Sequence, residues 1–205
     1  MICQLKAYIR ILQGEPIIGS APMKPLFFHV FLILICLFSA LVFAEDESFE
    51  RIKMQAEKGN VPAQFKLGIM YFKGRETSQD YKEALKWFQR AAEQGLSEAQ
   101  YNIGVMYIEG KGVSQNYTEA LKWFNKAAKQ NDPKAQYNLG VIYASGVRVP
   151  QDYIKAYAWL ILAYSNGYEQ AKDDILILNK AMTASEMEKA EAQAAKIRKT
   201  FNNSY

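Results

Sequence analysis

Residues 63–98 read AQFKLGIMYFKGRETSQDYKEALKWFQRAAEQGLSE, and residues 99–134 read AQYNIGVMYIEGKGVSQNYTEALKWFNKAAKQNDPK. Set one above the other, they align without a gap. Ala63 and Ala99 coincide, as do Gly68 and Gly104, Tyr71 and Tyr107, Gly74 and Gly110, Tyr81 and Tyr117, Ala84 and Ala120, Trp87 and Trp123, and Ala91 and Ala127, always 36 apart. A third pass carries the same positions to Ala135, Gly140, Tyr143, Gly146, Tyr153, Ala156, Trp159 and Ala163, and Ala171 opens a fourth. Self-similarity at such a period is the mark of a repeat array.

Within each unit the spacing predicts two helices. Gln64, Leu67, Gly68 and Tyr71 lie on one face of a 3.6-residue helix. A glycine in mid-helix costs about 1 kcal/mol against alanine, so three of them in phase call for close approach of a second helix. Gly74, Gly110 and Gly146 end this first helix. Asp80, Asn116 and Asp152 are strong N-cap types for the second, and Glu83 and Glu119 three residues on suggest capping boxes. Ala84, Trp87, Phe88 and Ala91 line its buried face, and Gly95, Asn131 and Gly167 end it. The expected class is therefore all-α, a solenoid of helix-turn-helix repeats. Its units are 63–98, 99–134 and 135–170, between an N-terminal capping helix in 45–62 and C-terminal capping helices in 171–205. In the last segment Ile175, Leu176 and Leu178 continue a first helix. Thr183 and Glu186 then form a capping box for a final helix with Met187, Ala190, Ala194, Ile197 and Phe201 on one side.

Upstream, Leu26 to Ala44 form a 19-residue apolar run preceded by Lys6, Arg10 and Lys24 and followed by Glu45, Asp46 and Glu47. A basic n-region, an apolar h-region and the Val42-Phe43-Ala44 exit predict a signal peptide over 1–44, with an N-terminal extension. The alternative is a membrane anchor, since such a run can just span a bilayer. Either way positive charge stays inside and the repeats lie outside the cytoplasm, periplasmic or secreted in one case and inner-membrane anchored in the other. Met23 is an alternative start to Met1.

The net charge of +4 over 205 residues is too small and too evenly spread for a nucleic-acid protein. Cys3, His29 and Cys36, the only cysteines and histidine, all precede Ala44. Cleavage there leaves no thiol and no imidazole, which excludes disulfides, Cys or His metal sites, Cys nucleophiles and His-based triads from what remains. The expectation is no metal, no cofactor and no catalytic residue. Glu83 and Glu119 are better read as helix-terminal residues than as catalytic carboxylates, and the Trp and Tyr series as core than as a stacking platform. Lys196, Arg198 and Lys199 suit a solvated helix end. No ligand loop for calcium surrounds Asp173 and Asp174.

The motifs Leu67-Gly68-x-x-Tyr71, Gly74, Asp80-Tyr81-x-x-Ala84-x-x-Trp87, Ala91-Ala92-x-x-Gly95 and Ala99-Gln100 resemble the Sel-one-like repeat (SLR), a longer relative of the tetratricopeptide repeat. The second unit matches through Ile103-Gly104-x-x-Tyr107, Gly110, Asn116-Tyr117, Ala120, Trp123 and Ala127-Ala128. The third drifts, with Tyr164 where the others have Ala92 and Ala128. The resemblance implies a right-handed α-solenoid acting as a protein-binding adaptor, with exported bacterial members serving envelope complexes, signalling and host-cell entry. A cysteine-rich branch linked to penicillin binding or hydrolysis is not matched, because no cysteine follows Ala44. The alternatives are a structural subunit of an envelope assembly and a cell-wall or β-lactam hydrolase.

By analogy with related repeats, the groove is formed by the first-helix face opposite Gly68 and Tyr71. It carries Lys66, Met70 and Lys73, then Asn102, Met106 and Glu109, then Asn138, Ile142 and Ser145. Polar groups beside exposed methionines suit a peptide groove. Gly68, Tyr71, Trp87, Gly104, Tyr107, Trp123, Gly140, Tyr143 and Trp159 are assigned to structure. Phe65, Tyr101 and Tyr137 fit either the groove or the packing between repeats. The expected partner is another protein or peptide bound by a monomer.

Overall fold

The computed structural model describes residues 49–202; the targeting segment expected at 1–44 lies outside them. Among the described residues there are nine helices and no strand. Helix α1 covers 49–57. The repeat hairpins are α2 (Val61–Lys73) with α3 (Tyr81–Glu93), α4 (Ser97–Glu109) with α5 (Tyr117–Ala128), and α6 (Pro133–Ser145) with α7 (Tyr153–Ser165). They are followed by α8 (Ala171–Ala181) and α9 (Ala184–Asn202). Each second helix also packs on the first helix of the next unit.

Local chemistry fixes the boundaries. The Asn60 and Asp132 side chains accept from the Ala63 and Ala135 amides at 2.9 and 2.8 Å, ahead of Pro62 and Pro133 at the helix starts, where proline's missing N–H costs nothing. Gly74, Gly110 and Gly146 take φ of 65, 69 and 66°, the left-handed stop expected of them. Asp80, Asn116 and Asp152 cap the second helices, accepting from Glu83, Glu119 and Lys155 amides at 3.0, 3.1 and 2.9 Å.

The capping boxes expected at Glu83 and Glu119 do not close. The cap amides of Asp80 and Asn116 already donate to the carbonyls of Tyr71 and Tyr107 at 3.0 and 2.9 Å. The carboxylates turn instead to Lys86 and Lys122, at 3.1 and 2.6 Å. At Thr183 no such carbonyl intervenes. There the box closes both ways, Thr183 N to Glu186 Oε2 at 2.8 Å and Glu186 N to Thr183 Oγ1 at 3.3 Å.

The helix glycines have the packing role that their cost requires. A Cβ at Gly68 would stand 2.6 Å from the Phe88 ring, one at Gly104 2.6 Å from Phe124, and one at Gly140 2.6 Å from Leu160 Cγ. Each first helix buries a second face as well. Ala63, Leu67 and Met70 join Ile52, Ala56 and Trp87 in one cluster. Ala99, Ile103 and Met106 join Ala84, Phe88, Ala91 and Ala92 in the next. Every first helix is thus held between its own second helix and the preceding one, the nearest-neighbour logic of a solenoid.

A row of glutamines ties these three helices together. Gln64 Nε2 donates to the Ala56 carbonyl at 3.1 Å while its Oε1 accepts from Gln94 at 2.8 Å. Gln100 repeats this with Ala92 and Gln130 (3.2 and 2.9 Å), and Gln136 with Ala128 and Asn166 (3.2 and 2.8 Å). All three glutamines are buried.

The array stops by turning back. Helix α9 packs on α7 and does not complete a fourth hairpin with α8. Ala158, Trp159 and Leu162 share a core with Ala194 and Phe201, and the Trp159 and Phe201 rings stack at 6.4 Å. Leu176 therefore stands at the phase of Gly68, Gly104 and Gly140 with no second helix over it, and 49% of it is exposed.

Candidate functional site: the open face of the first helices

Since both flanks of α2, α4 and α6 are buried, one stripe of each remains open, and α8 continues it. The stripe carries Lys66, Ile69 and Lys73 on α2, and Asn102, Val105 and Glu109 on α4. On α6 it carries Asn138, Val141 and Ser145, and on α8 Asp174, Ile177 and Ala181, all in register at 36 residues. Lys66, Lys73 and Glu109 are exposed, as expected. Asn102 and Asn138 are half-buried and bond back to their own helix, donating to the carbonyls of Glu98 and Lys134 at 2.7 and 2.9 Å. Glu109 pairs with Lys111 at 2.8 Å.

The apolar residues expected on this stripe are not there. Met70, Met106 and Ile142 are at most 9% exposed. They follow Leu67, Ile103 and Leu139 by three residues, which turns them onto the preceding second helix. One residue back along the helix, about 100° around it, Ile69, Val105, Val141 and Ile177 supply the apolar row instead. Val141 is 37% and Ile177 62% exposed. The signal was available: Leu67, Ile103, Leu139 and Met70, Met106, Ile142 are apolar in every repeat, the pattern of a buried face.

Tyrosines edge the stripe. Burial raises the pKa of the Tyr101 hydroxyl, with the Asn138 side chain of the next first helix opposing it. The Tyr137 hydroxyl is pushed up to about 12, first by burial and then by the Asp174 carboxylate of the next first helix. Phe65, Tyr101 and Tyr137 are half-buried. Phe65 and Tyr101 lie against Phe88 and Phe124, with centroids 5.6 and 5.8 Å apart, and Tyr137 lies 4.7 Å from Tyr168. They therefore serve as packing and edge the stripe at once. Where α6, α7 and α8 meet, Val141, Ala144, Ser145, Leu160, Asp174, Ile177 and Leu178 line an open cleft of about 270 Å³.

The residues assigned to structure are buried or half-buried, with one difference of degree. Trp87 and Trp159 are core, and Tyr71, Tyr107 and Tyr143 are half-buried. Trp123 is only half-buried, its ring covered by Lys126 Nζ at 4.0 Å from the centroid, and the full burial in that repeat belongs to Phe124. Among the described residues no group of three or more His, Cys, Asp or Glu side chains is placed to hold a metal ion.

Comparison with known proteins matches this geometry. The profile of the Sel1 repeat fits residues 61–96, 97–132 and 133–168. Among curated proteins, the chain is 46% identical over 44 residues to the secretory immunoglobulin A-binding protein EsiB of Escherichia coli O6:H1, covering 22% of this chain and 9% of that one. It is 44% identical over 48 residues to HRD3A, an ERAD-associated E3 ubiquitin-protein ligase component of Arabidopsis thaliana, covering 23% and 7%. The chain thus spans less than a tenth of these relatives. Among solved structures it resembles c5321, a protective antigen of uropathogenic Escherichia coli with an SLR fold, at TM-score 0.66 and 32% identity over 78% of this chain and 34% of that one. A Sel1 repeat protein from Oxalobacter formigenes gives TM-score 0.59 and 32% identity over 68% and 58%. With three consecutive repeat matches over more than half its length, the chain belongs to the Sel1 repeat family.

Proposed function

We propose that the chain is an exported, non-catalytic scaffold that holds another protein along the open face of its first helices. The observation that carries this reading is the stripe itself. Ile69, Val105, Val141 and Ile177 are left partly or largely exposed in register while neighbouring positions are consumed by packing. Aliphatic contact flanked by polar side chains is the make-up of a peptide-binding surface. The kinds of protein it resembles agree: one is named for binding an immunoglobulin, and another as a component of a ligase. Export rests on the apolar run before Glu45, which gives periplasmic or secreted protein when cleaved after Ala44. No helix among the described residues is long and apolar enough to cross a membrane. The HRD3A likeness favours a second reading, a permanent subunit of a larger assembly.

A photo-crosslinking amino acid at Val141 in intact cells tests the proposal. The expected result is a covalent adduct to a distinct protein, on a chain whose intact mass begins at Glu45. The same residue at exposed Lys122, on α5, should give none. Equal adducts from both positions would refute the groove, and a mass retaining residues 24–44 would favour the anchor.

A further inference from the structure

Each hairpin places aromatic rings where its two helices meet, and in the third the rings run out. In the first, Phe88 lies between Phe65 and Phe72, with centroids 5.6 and 6.5 Å away. In the second, Phe124 keeps the place of Phe88 and lies 5.8 Å from Tyr101, while Ile108 stands at the phase of Phe72. In the third, those two positions hold Leu160 and Ala144. Tyr137, at the phase of Phe65 and Tyr101, pairs instead with Tyr168 at 4.7 Å. Two smaller side chains and one ring paired elsewhere open the cleft of about 270 Å³ between α6, α7 and α8.

The cleft has a buried base of Leu160 and Leu178 and an exposed rim of Val141 and Ile177. Its lining includes one carboxylate, Asp174, which is half-buried and has no cationic partner among the described residues. The Ser145 hydroxyl is already committed, donating to the Ile142 carbonyl at 3.0 Å. Asp174 is therefore the group left to orient a ligand.

Volume and charge together define that ligand. An apolar cavity of roughly 150 Å³ is enough for benzene, so about 270 Å³ takes one ring with a short arm. A neutral or anionic arm would dry Asp174 without compensating it, whereas an ammonium group pairs with it by charge-assisted hydrogen bonds. No amino-acid side chain joins a phenyl ring to an ammonium group, which makes the occupant a small molecule and not a partner's side chain. We propose that this cleft is a binding site for a free arylalkylamine. Its ring lies on Leu160 and Ala144, in the place that Phe72 and Phe88 fill in the first hairpin, and its ammonium group meets Asp174. The site stands apart from the scaffold reading, since it needs only the third hairpin and α8.

Titration of the purified protein with phenethylamine, followed by amide NMR shifts, tests this. Saturation is expected with a dissociation constant of about 1 mM, an ordinary efficiency for about nine heavy atoms, with shifts centred on Val141, Ala144 and Ile177. Three controls should each bind about tenfold more weakly or worse. Hydrocinnamate keeps the ring and reverses the charge, propylamine keeps the charge without the ring, and N-acetylphenylalaninamide presents the ring as a protein would. Asp174→Asn should weaken phenethylamine about tenfold and leave N-acetylphenylalaninamide unchanged. Ala144→Ile with Leu160→Phe installs the residues that the second hairpin holds at these phases. That variant should lose binding while its guanidinium midpoint stays at or above the wild-type value; if the midpoint falls, Asp174→Asn, which changes almost no volume, decides alone. No saturation by about 10 mM, shifts centred off the cleft, a control that binds as tightly as phenethylamine, an affinity unchanged by Asp174→Asn, or wild-type binding by the folded double variant would each overturn the inference. The scaffold reading fails separately, by the Val141 adduct experiment in cells.

Discussion

Phe124→Ala should lower the unfolding free energy by about 3–5 kcal/mol, the usual cost of emptying a large buried aromatic site. Trp123→Ala, one residue away, should cost only roughly 1–2 kcal/mol. The order is the reverse of what side-chain size alone suggests, and geometry supplies the reason. Phe124 is fully buried and belongs to a cluster with Ala120, Ala127, Ala128, Ala135, Leu139 and Ile142, so it spans the second and third repeats. Its ring lies against Gly104, where a Cβ would stand 2.6 Å from it, so the position of α4 that faces the ring has no side chain to fill the space it leaves. Trp123 lies at the edge of the preceding cluster with one face under Lys126. Its truncation exposes no cavity that water cannot fill. A domain of this size has only about 5–15 kcal/mol of stability, so Phe124→Ala removes a large share. Guanidinium unfolding followed by circular dichroism measures both. Equal midpoints for the two variants, or a lower one for Trp123→Ala, would show that the tryptophan row carries the central repeat.

The fold was legible because nearly every element of it recurs in phase. Gly68, Gly104 and Gly140 announce a close helix contact, and the structure fills each with Phe88, Phe124 or Leu160. The caps at Asp80, Asn116 and Asp152 follow from residue type. The open stripe was legible only to within one residue. A helical wheel drawn for one hairpin has a single buried face, whereas a solenoid helix has two, and Met70 and Met106 belong to the second. That face is set by the preceding repeat, so it emerges from comparing rows across repeats rather than positions within one. Trp123 misled for the opposite reason: an in-phase residue need not be equally buried in each unit. Trp87 meets Ile52 and Ala56 of α1 and Trp159 meets Phe201 of α9, while Trp123 meets only the edge of its neighbours.

The glutamine row was in plain view as Gln64, Gln100 and Gln136, yet a polar residue on a buried face acquires meaning only with its partners. Gln136→Leu should cost about 1–3 kcal/mol, although leucine is the more apolar side chain. Gln136 is completely buried, and its amide is the bond between α6 and the carbonyl of Ala128 at the end of α5. Its carbonyl oxygen accepts a hydrogen bond from Asn166 Nδ2 at 2.8 Å. Leucine replaces neither bond: the Ala128 carbonyl keeps the Asn131 amide at 3.0 Å, but two hydrogen bonds at a buried site are lost, each worth about 0.5–1.5 kcal/mol. Because the bond joins neighbouring repeats rather than the two helices of one hairpin, its loss weakens coupling between units. The expected result is a lower guanidinium midpoint together with a broader transition, as repeat three with its cap begins to unfold apart from the first two. Asn166→Ala should do less, because Asn166 is exposed and its removal opens the Gln136 oxygen to water, and hydrogen exchange of α6 amides should rise more in Gln136→Leu than in Asn166→Ala. A Gln136→Leu protein with the wild-type midpoint and slope would mean that apolar packing alone joins the repeats and that the glutamine row adds nothing to it.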